Sequence, residues 1–295
     1  MDTTTESKKY NVIPTQLTEE QFYEFIFSQL SEGKRGPKPK IGYFKIFNYI
    51  LYFLHTGVQW HKLPIEKNDE GKPEIHYTRI FKIYSRWVND GSFEGVFEFS
   101  VIKLNENDKL DLSVIHGDGS DTVAKKGGDN IGYSGHKHHK GEEVIAIVDR
   151  NVNVISPLPT APANQNECVL LPEAIDHLMK ISEMADFSLK GTIFSLDAAY
   201  DSASNRKLIF NRGMTPNIKE NKRNRKKTKR GRKRLFSEEI YQERFRKVER
   251  LFAWEDKFKR LLLRFERLSK NHLGLKLIAF TMINLRHFCQ ALSFI

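Results

Sequence analysis

The chain has 295 residues, of which 39% are hydrophobic and 29% are charged, and its formal net charge is +11. This length and composition fit one large or two ordinary domains with a real hydrophobic core. No apolar run is long enough to span a bilayer, and the first residues lack the pattern of a signal peptide, so membrane-spanning and exported proteins are not expected. The two cysteines, Cys168 and Cys289, have neither metal nor disulfide spacing, which indicates a reducing compartment.

Almost all of the positive charge lies in one polybasic segment, residues 219–234. It holds 11 Lys and Arg residues against one Glu, whereas the other 279 residues carry 37 basic and 36 acidic side chains. Such a block is typical of an element that binds a polyanion, with nucleic acid the leading partner, and the alternative is a solvated linker. The DNA-binding residues predicted within it are Lys222, Arg223, Arg225, Lys226, Lys227, Lys229, Arg230, Arg232, Lys233 and Arg234.

Residues 17–107 are predicted to form an all-helical domain, after a polar tail over residues 1–16 that is expected to be disordered. Thr18 to Gln21 has capping-box spacing and should begin the first helix. Further helices are predicted over 41–55, 77–89 and 93–104. Helices joined by short turns with basic residues suit a helix-turn-helix-like DNA reader, which is the favoured interpretation, or a plain helical bundle.

From residue 108 the pattern changes to strands alternating with helices, which predicts a mixed sheet with helices on its faces. The predicted strands are 112–115, a hairpin of 143–148 and 152–158, 192–196 and 214–218. The predicted helices are 165–185, 202–211, 236–270 and 273–293.

Two aspartates are predicted to lie at strand ends beside small residues, Asp118 before Gly119 and Asp197 before two alanines. On neighbouring strands their carboxylates would converge, which is unfavourable unless a cation joins them. Carboxylate oxygens are the ligands that Mg²⁺ prefers, and two such ions can activate a nucleophile and stabilise a leaving oxygen in phosphodiester cleavage. The alternatives are that Asp197 is a turn residue and that Asp121 takes the place of Asp118.

A third carboxylate is expected on the helix 236–270. Glu249 lies at the edge of the apolar stripe of this helix, and Glu255 has a comparable position, so periodicity leaves the choice open. Glu243 lies among charged residues and is expected to be solvated.

These features resemble bacterial insertion-sequence transposases of the DDE, retroviral-integrase-like superfamily, in the group with a short helical N-terminal domain. The resemblance is carried by residues 56–64 and 87–91 and by three blocks: Asp118-Gly-Ser, Asp197-Ala-Ala-Tyr-Asp-Ser, and Val248-Glu-Arg-Leu-Phe-Ala-Trp. It implies an RNase H-like catalytic domain over 108–295 after a helical DNA-binding domain over 17–107. It also implies that Asp118, Asp197 and Glu249 are the catalytic and metal-binding residues, and thus selects Glu249 over Glu255.

The resemblance further implies a DNA transposase that uses two Mg²⁺ or Mn²⁺ ions. It would cut at the element's ends and join the freed 3′-hydroxyl to target DNA. The implied partners are double-stranded DNA, both terminal inverted repeats and target, and a second copy of the chain, with no membrane and no small-molecule substrate. A cytoplasmic, nucleoid-associated location is expected. The alternatives are a transposase-derived DNA-binding regulator without catalysis and a DNA nuclease without strand transfer.

One departure from the family pattern concerns the third block. The family often sets a tyrosine, an arginine, the glutamate and a lysine at fixed helical spacing. Tyr241, Arg244, Glu249 and Lys257 follow that order here, but the Arg–Glu and Glu–Lys gaps are each one residue longer. Because one residue turns a helix by about 100°, the family's roles for these side chains stay open.

The remaining predicted DNA contacts lie outside the polybasic segment, at Lys125, Lys126, Lys137, Lys140 and Arg244. Lys137 and Lys140 belong to the loop 134–141, which holds three histidines between glycines. A loop whose Lys and His side chains face phosphates is the favoured interpretation. A solvated loop and a zinc site are the alternatives, and the zinc site lacks a suitably spaced fourth ligand.

Overall fold

The structure, a computed structural model, describes residues 12–33, 38–156, 159–165, 167–221 and 234–289. Its N-terminal part is helical, as predicted, with α1 Glu19–Phe25, α2 Gly42–Thr56, α3 Tyr77–Asn89 and α4 Ser92–Glu106. The capping box is present, because Thr18 accepts from the Gln21 N–H while the Gln21 side chain accepts from the Thr18 N–H. Gly57 ends α2 in the left-handed conformation, with φ of 73°, which is favourable for glycine and strained for other residues.

The second part holds a sheet whose described strands are β1 Val114–Val123, β2 Gly132–Ser134, β3 His139–Asp149, β4 Thr160–Pro162, β5 Ile193–Leu196 and β6 Thr215–Ile218. The spatial order is β2-β3-β1-β5-β6, with β4 also paired to β3. β3 runs antiparallel to β1, while β5 and β6 run parallel to β1. This mixed sheet with flanking helices fits the RNase H-like fold that the sequence resemblance implies.

The central strand β3 is buried on both faces and separates two hydrophobic cores. Val144, Ala146 and Val148 belong to one core, whereas Ile145 and Ile147 belong to the other. Alternation of side chains along a strand produces this division. The second core is completed by two helices on its face, α5 Leu171–Met184 and α6 Ala203–Asn211.

The first core joins the two parts of the chain. It contains side chains of α1 to α4, the β3 residues named above, and almost the whole of the last described helix, α8 Ser269–Leu285. Within it Asn284 of α8 bonds both the N–H and the carbonyl of Val154 and donates to Ser100 of α4. Even Ile13, which the sequence assigned to a disordered tail, is buried here, with 4% of its surface exposed. The N-terminal helices therefore share their hydrophobic core with the sheet.

Three sequence predictions about the second part were wrong. Asp118 does not follow a strand, because β1 continues to Val123 and pairs Asp118 with Ala146 of β3. The second arm of the predicted hairpin is reduced to an isolated bridge between Val148 and Val154. The helix predicted over 236–270 ends early, since α7 spans Glu238–Glu255.

The chain between α7 and α8 contains a short 3-10 helix, Lys259–Leu261, and is fixed by buried charge. The backbone of Arg264 bonds Val123 and Lys125 at the end of β1, and its fully buried guanidinium pairs with Glu142 at 2.9 Å. Glu266 pairs with Arg260 at 2.6 Å. Local helical propensity does not reveal these long-range contacts, and they explain why the helix stops.

Among the described residues, no helix is long and apolar enough to cross a membrane.

Replacing Asn284 with Leu should lower the free energy of unfolding by about 2–4 kcal/mol, because it leaves the Val154 N–H and carbonyl unpaired in the core. Chemical denaturation monitored by circular dichroism measures this value. Asn107→Leu, at an exposed position, is the matched control and should change stability by less than about 0.5 kcal/mol. Equal effects of the two changes would contradict the proposed tie between α8 and the sheet.

Glu266 gives a pH-dependent prediction. Burial alone would raise the pKa of Glu266, but His272 and the Arg260 guanidinium outweigh burial and hold that pKa at about 2. Because the folded-state pKa is depressed, the stabilisation is present above the ordinary pKa and is lost as the pH falls towards 2. Glu266→Gln should therefore cost about 3 kcal/mol near neutral pH, at about 1.4 kcal/mol for each pKa unit.

The difference between the wild type and Glu266→Gln should narrow as the pH falls from about 5 to about 2. Urea denaturation at a series of pH values measures it. Glu70→Gln, in the exposed loop after α2, removes the same charge and should show no such trend. A difference that is constant with pH would show that the effect of Glu266 is not electrostatic.

Candidate active site

The parallel pairing of β1 and β5 brings Asp118 and Asp197 to the same edge of the sheet. The last aligned pair is His116 with Ser195, and each aspartate lies two residues beyond its member of that pair. Asp118 shares its face of the sheet with Ala146, directly opposite on β3. The strands are thus neighbours, and the two carboxylates lie close together even though Asp118 is inside a strand.

Gly117 allows this close approach on the other face of β1. A Cβ atom at this position would lie 2.6 Å from Leu196 Cδ2 and 3.0 Å from a ring carbon of Phe194. Both residues belong to β5. Any larger residue at position 117 would therefore disturb the strand that carries Asp197.

Helix α7 crosses the sheet above the two aspartates and supplies two polar side chains to them. The Tyr241 hydroxyl donates to Asp197 Oδ1 at 2.8 Å, and Arg244 Nη1 donates to Asp118 Oδ2 at 2.7 Å. Arg244 Nη2 lies 3.7 Å from Asp197 Oδ1. One guanidinium group therefore lies between both carboxylates.

The Arg244 guanidinium and the two aspartate carboxylates differ sharply in their exposure to solvent. The Arg244 side chain is 1% exposed, whereas the side chains of Asp118 and Asp197 are 27% and 40% exposed. The ring of Phe245 lies 4.4 Å from the guanidinium carbon and the ring of Tyr241 lies 5.4 Å from it. The cation is thus covered by protein, and the carboxylates open towards solvent.

Tyr241 is held in its neutral form. Burial raises the pKa of its hydroxyl, and the hydrogen bond to Asp197 raises it further, to about 12. The hydroxyl therefore keeps its proton and donates a hydrogen bond to Asp197 Oδ1 throughout the neutral range. The Ala198 N–H donates to the same oxygen at 2.6 Å, so the contacts described here orient the carboxylate through Oδ1 alone.

Glu249, the predicted third carboxylate, is exposed on α7 and is not in contact with the aspartates. It follows Arg244 by five residues, which places it about 140° further round the helix axis. Val248, one residue earlier, is only about 40° from Arg244 and is buried. The gap that is one residue longer than the family pattern thus turns Glu249 away from the side of α7 that faces the aspartates.

Two further glutamates of α7, Glu243 and Glu255, are buried and form ion pairs. Glu243, which was expected to be solvated, is 9% exposed and forms a two-point pair with Arg150 at 2.9 and 3.0 Å, so that prediction was wrong. Glu255, the rival of Glu249, is buried and pairs with Lys276 of α8 at 2.5 Å. These pairs hold the helix in its first half and at its C-terminal end rather than forming part of the site.

The buried position of Arg244 differs from the exposed position that a DNA contact would require. It was placed among the residues that contact DNA, yet its side chain is buried against the aspartates. Sequence reasoning noted the order of Tyr241 and Arg244 but did not assign them to the site. Their three-residue spacing on one helix face was the signal available.

Asp201 connects this site to the polybasic segment. Ser202 caps α6, whereas Asp201 binds the Asn221 N–H at 2.9 Å and Arg234 at 3.0 Å. Asn221 and Arg234 are the residues immediately before and after residues 222–233, which lie outside the described residues together with the DNA contacts predicted there. The two flanks of that stretch therefore meet four residues from Asp197.

The other predicted DNA contacts lie at the far end of β1 and in the loop beyond it. Lys125, Lys126 and Lys140 are exposed. Lys137 is paired with Asp121, which also lies 2.5 Å from His139. Asp121 is three residues from Asp118 and so lies on the other face of β1, bound to this loop rather than beside Asp197.

A basic groove that the sequence did not predict lies between α2 and α3. Its volume is about 640 Å³, and the cations that line it are Lys38, Lys40, Arg79, Lys82 and Arg86. The lining carboxylate Glu74 is neutralised by Lys45 at 3.0 Å. The signal available in the sequence was the spacing of Arg79, Lys82 and Arg86 at i, i+3 and i+7, which places them on one face of α3.

Within the described residues, no three His, Cys, Asp or Glu side chains are grouped closely enough to hold a metal ion together. The site as described offers two carboxylates, Asp118 and Asp197, with Arg244 between them.

Comparison with solved structures gives weak likenesses. A Mos1 transposase paired-end complex with the left transposon end aligns at 10% identity with a TM-score of 0.27, over 63% of this chain and 61% of that chain. A pre-cleavage Mos1 transpososome aligns over the same shares at 9% identity and a TM-score of 0.26. The chain thus spans less than two thirds of these proteins, and such scores do not establish a common fold. No curated protein matches the chain.

The sequence itself matches a family model over more than half of its length. The model is described as the transposase DDE domain, and it matches residues 109–285, from just before β1 to the end of α8. The match includes both strands that carry the aspartates and the helix that carries Tyr241 and Arg244. The chain therefore belongs to the transposase DDE domain family.

Proposed function

We propose that the protein is a DNA transposase that cuts phosphodiester bonds at the ends of an insertion sequence and joins the freed 3′-hydroxyl to target DNA. The observation that carries the proposal is the convergence of Asp118 and Asp197 at an open edge of the sheet, in a chain that belongs to the DDE family. Two carboxylates held that close repel each other, so the arrangement is unfavourable for stability unless a cation binds both of them.

The donors present fit a hard divalent metal ion. Asp118 and Asp197 offer carboxylate oxygens, they already lie around one positive charge, and both are partly open to solvent. Bound Mg²⁺ or Mn²⁺ ions would supply a water of lowered pKa and neutralise charge on the leaving oxygen. Glu249 is proposed as the third ligand on the resemblance of its block, and its exposed side chain would have to be brought to the aspartates when DNA binds.

Residues of the chain itself would prepare the site. Tyr241 and the Ala198 N–H fix the orientation of Asp197 through Oδ1. The β1–β5 pairing fixes the separation of the two aspartates. A rigid strand edge of this kind places ligands more reproducibly than a loop does.

DNA backbone would be bound by two basic regions. Asn221 and Arg234 of the polybasic segment both bind Asp201, four residues from Asp197, and this position supports a role for the segment in binding the DNA that is cut. The exposed Lys125, Lys126 and Lys140 would extend this surface along β1 and β3. Pairing of two element ends requires a dimer or a larger assembly on DNA.

The N-terminal helices would bind the terminal inverted repeats, with the α2–α3 groove as the phosphate contact. Lys40, Arg79 and Lys82 are exposed at this groove, and its one carboxylate is neutralised. Phosphate contacts of this type fix the register of a protein on duplex DNA, while base contacts specify sequence.

A second candidate is a DNA-binding regulator that has kept the fold without catalysis. The exposed position of Glu249, away from Asp118 and Asp197, favours it. The two functions share DNA binding and differ in whether a metal-dependent product forms.

The deciding experiment incubates the full chain with labelled inverted-repeat DNA, plasmid target and Mg²⁺. Asp118→Asn and Asp197→Asn should each lower cleavage and joining at least about 100-fold, since even the residues that support metal ligands are worth 10–100-fold. Chelation by EDTA should remove the products of the wild type. A gel shift with the same DNA should survive in both variants.

Glu249→Gln, with Glu239→Gln as an exposed control on the same helix, tests the third ligand. Loss of product in Glu249→Gln alone supports the full triad. DNA binding without any metal-dependent product from the wild type would support the regulator, and cutting without joining would indicate a nuclease.

The salt dependence of DNA binding tests whether the α2–α3 groove contacts phosphates. The double variant Arg79→Gln, Lys82→Gln should bind all duplexes more weakly and reduce the slope of log K against log salt by about 2, one for each lost phosphate contact. Lys67→Gln, Lys72→Gln, an exposed pair in the loop before α3, removes the same charge outside the groove. If both double variants change the slope equally, the groove is not the contact.

A further inference from the structure

Arg244 occupies the position between the two proposed metal ligands. Its Nη1 lies 2.7 Å from Asp118 Oδ2, and its Nη2 lies 3.7 Å from Asp197 Oδ1. We infer that Arg244 is a displaceable counter-ion, which neutralises Asp118 and Asp197 when no metal is bound and competes with the metal for Asp118. This inference rests on the proposed function, because it assumes that the same carboxylates bind the ion.

The need for a counter-ion follows from the fold. The register of β1 and β5 holds the two carboxylates at one edge of the sheet whether or not a metal is present. Two like charges kept together repel each other unless a cation lies near both. Among the contacts described here, the Arg244 guanidinium lies within 4 Å of both carboxylates.

The contacts between Arg244 and the two aspartates have a geometry that favours release of the guanidinium. A strong Arg–carboxylate pair has two parallel hydrogen bonds, but the 3.7 Å separation from Asp197 is longer than a hydrogen bond. Arg244 Nε is buried and has no hydrogen-bond partner among the described residues. The guanidinium is therefore held near the aspartates by charge, with only part of its donor capacity used.

The two aspartates are more open to solvent than Arg244 is. Arg244 is almost fully buried, whereas Asp197 is 40% exposed and its described contacts are made through Oδ1. An ion that arrives from solvent thus meets the carboxylates on their open side. The Phe245 ring, 4.4 Å from the guanidinium carbon, offers a surface on which the displaced cation can remain.

Competition between Arg244 and the metal ion for Asp118 has two linked consequences. If Arg244 and the metal exclude each other at Asp118, removing Arg244 must tighten metal binding, and the metal must weaken the Arg244–Asp118 pair by the same factor. Removing Arg244 must also destabilise the metal-free protein, since the two carboxylates then repel each other. A residue that simply supported the site would instead bind metal more weakly after its removal.

The test is a Mn²⁺ titration of the full chain, with free Mn²⁺ measured by electron paramagnetic resonance. Arg244→Gln should bind Mn²⁺ about tenfold more tightly than the wild type, because the charge-assisted hydrogen bond from Arg244 no longer competes with the ion for Asp118. Arg246→Gln, which removes the same charge from the exposed face of α7, should stay within about twofold of the wild type. Unchanged or weaker binding by Arg244→Gln overturns the inference.

Thermal unfolding gives a second readout that does not depend on activity. Arg244→Gln should unfold at a lower temperature than the wild type without metal, and this difference should shrink at saturating Mn²⁺. Should Arg244→Gln not fold, Arg244→Lys serves instead. It keeps the charge without the planar fork, and it should tighten Mn²⁺ binding about threefold. Unchanged or weaker binding by that variant also overturns the inference.

Two further variants separate this inference from the proposed function. Asp118→Asn and Asp197→Asn should each weaken Mn²⁺ binding if the carboxylates hold the ion. If both bind as the wild type does, the proposed metal site is wrong and the inference fails with it. If both lose binding while Arg244→Gln shows no gain, the metal site stands and only the role of Arg244 is refuted.

Discussion

The convergence of Asp118 and Asp197 is the constraint on which the rest of the second part of the molecule depends. Parallel pairing of β1 with β5 holds the two carboxylates at one edge, and Gly117 gives the strands room to approach. Such a concentration of negative charge is unstable by itself. Helix α7 places the positive charge of Arg244 beside both carboxylates. The position of that helix is therefore coupled to the charge of the site.

Helix α7 is held above the sheet by a half-exposed ion pair in its first half and a buried one at its C-terminal end. Glu243 pairs with Arg150 at the end of β3, and Glu255 pairs with Lys276 of α8. Since α8 is also part of the core that contains α1 to α4, the proposed DNA-reading helices and the proposed metal site belong to one packed unit. Buried pairs of this kind fix geometry more than they add stability, because each desolvated charge depends on its partner.

Much of the fold follows from local rules that the chain obeys. Helix α3 spans the predicted residues, and the capping box at Thr18 and the glycine stop at Gly57 mark ends that the sequence also indicated. The failures share one cause. The end of β1 is set by its pairing with β3, 18 to 28 residues further along the chain, and the chain around Arg264 is set by contacts with Val123 and Glu142, more than a hundred positions away. No local pattern contains these contacts.

The sequence by itself determined the helices of the N-terminal part, the alternation of strands and helices after residue 108, the polybasic segment, and the placing of two aspartates at adjacent strands. It also contained the extra residue between Arg244 and Glu249, which turns Glu249 by about 100° and leaves the two residues about 140° apart around the helix axis. Only the tertiary structure decided which side chains of α7 meet the aspartates, because that depends on how the helix is rotated against the sheet. Burial of Tyr241, Arg244 and Val248 fixed that rotation, and it left Glu249 facing solvent.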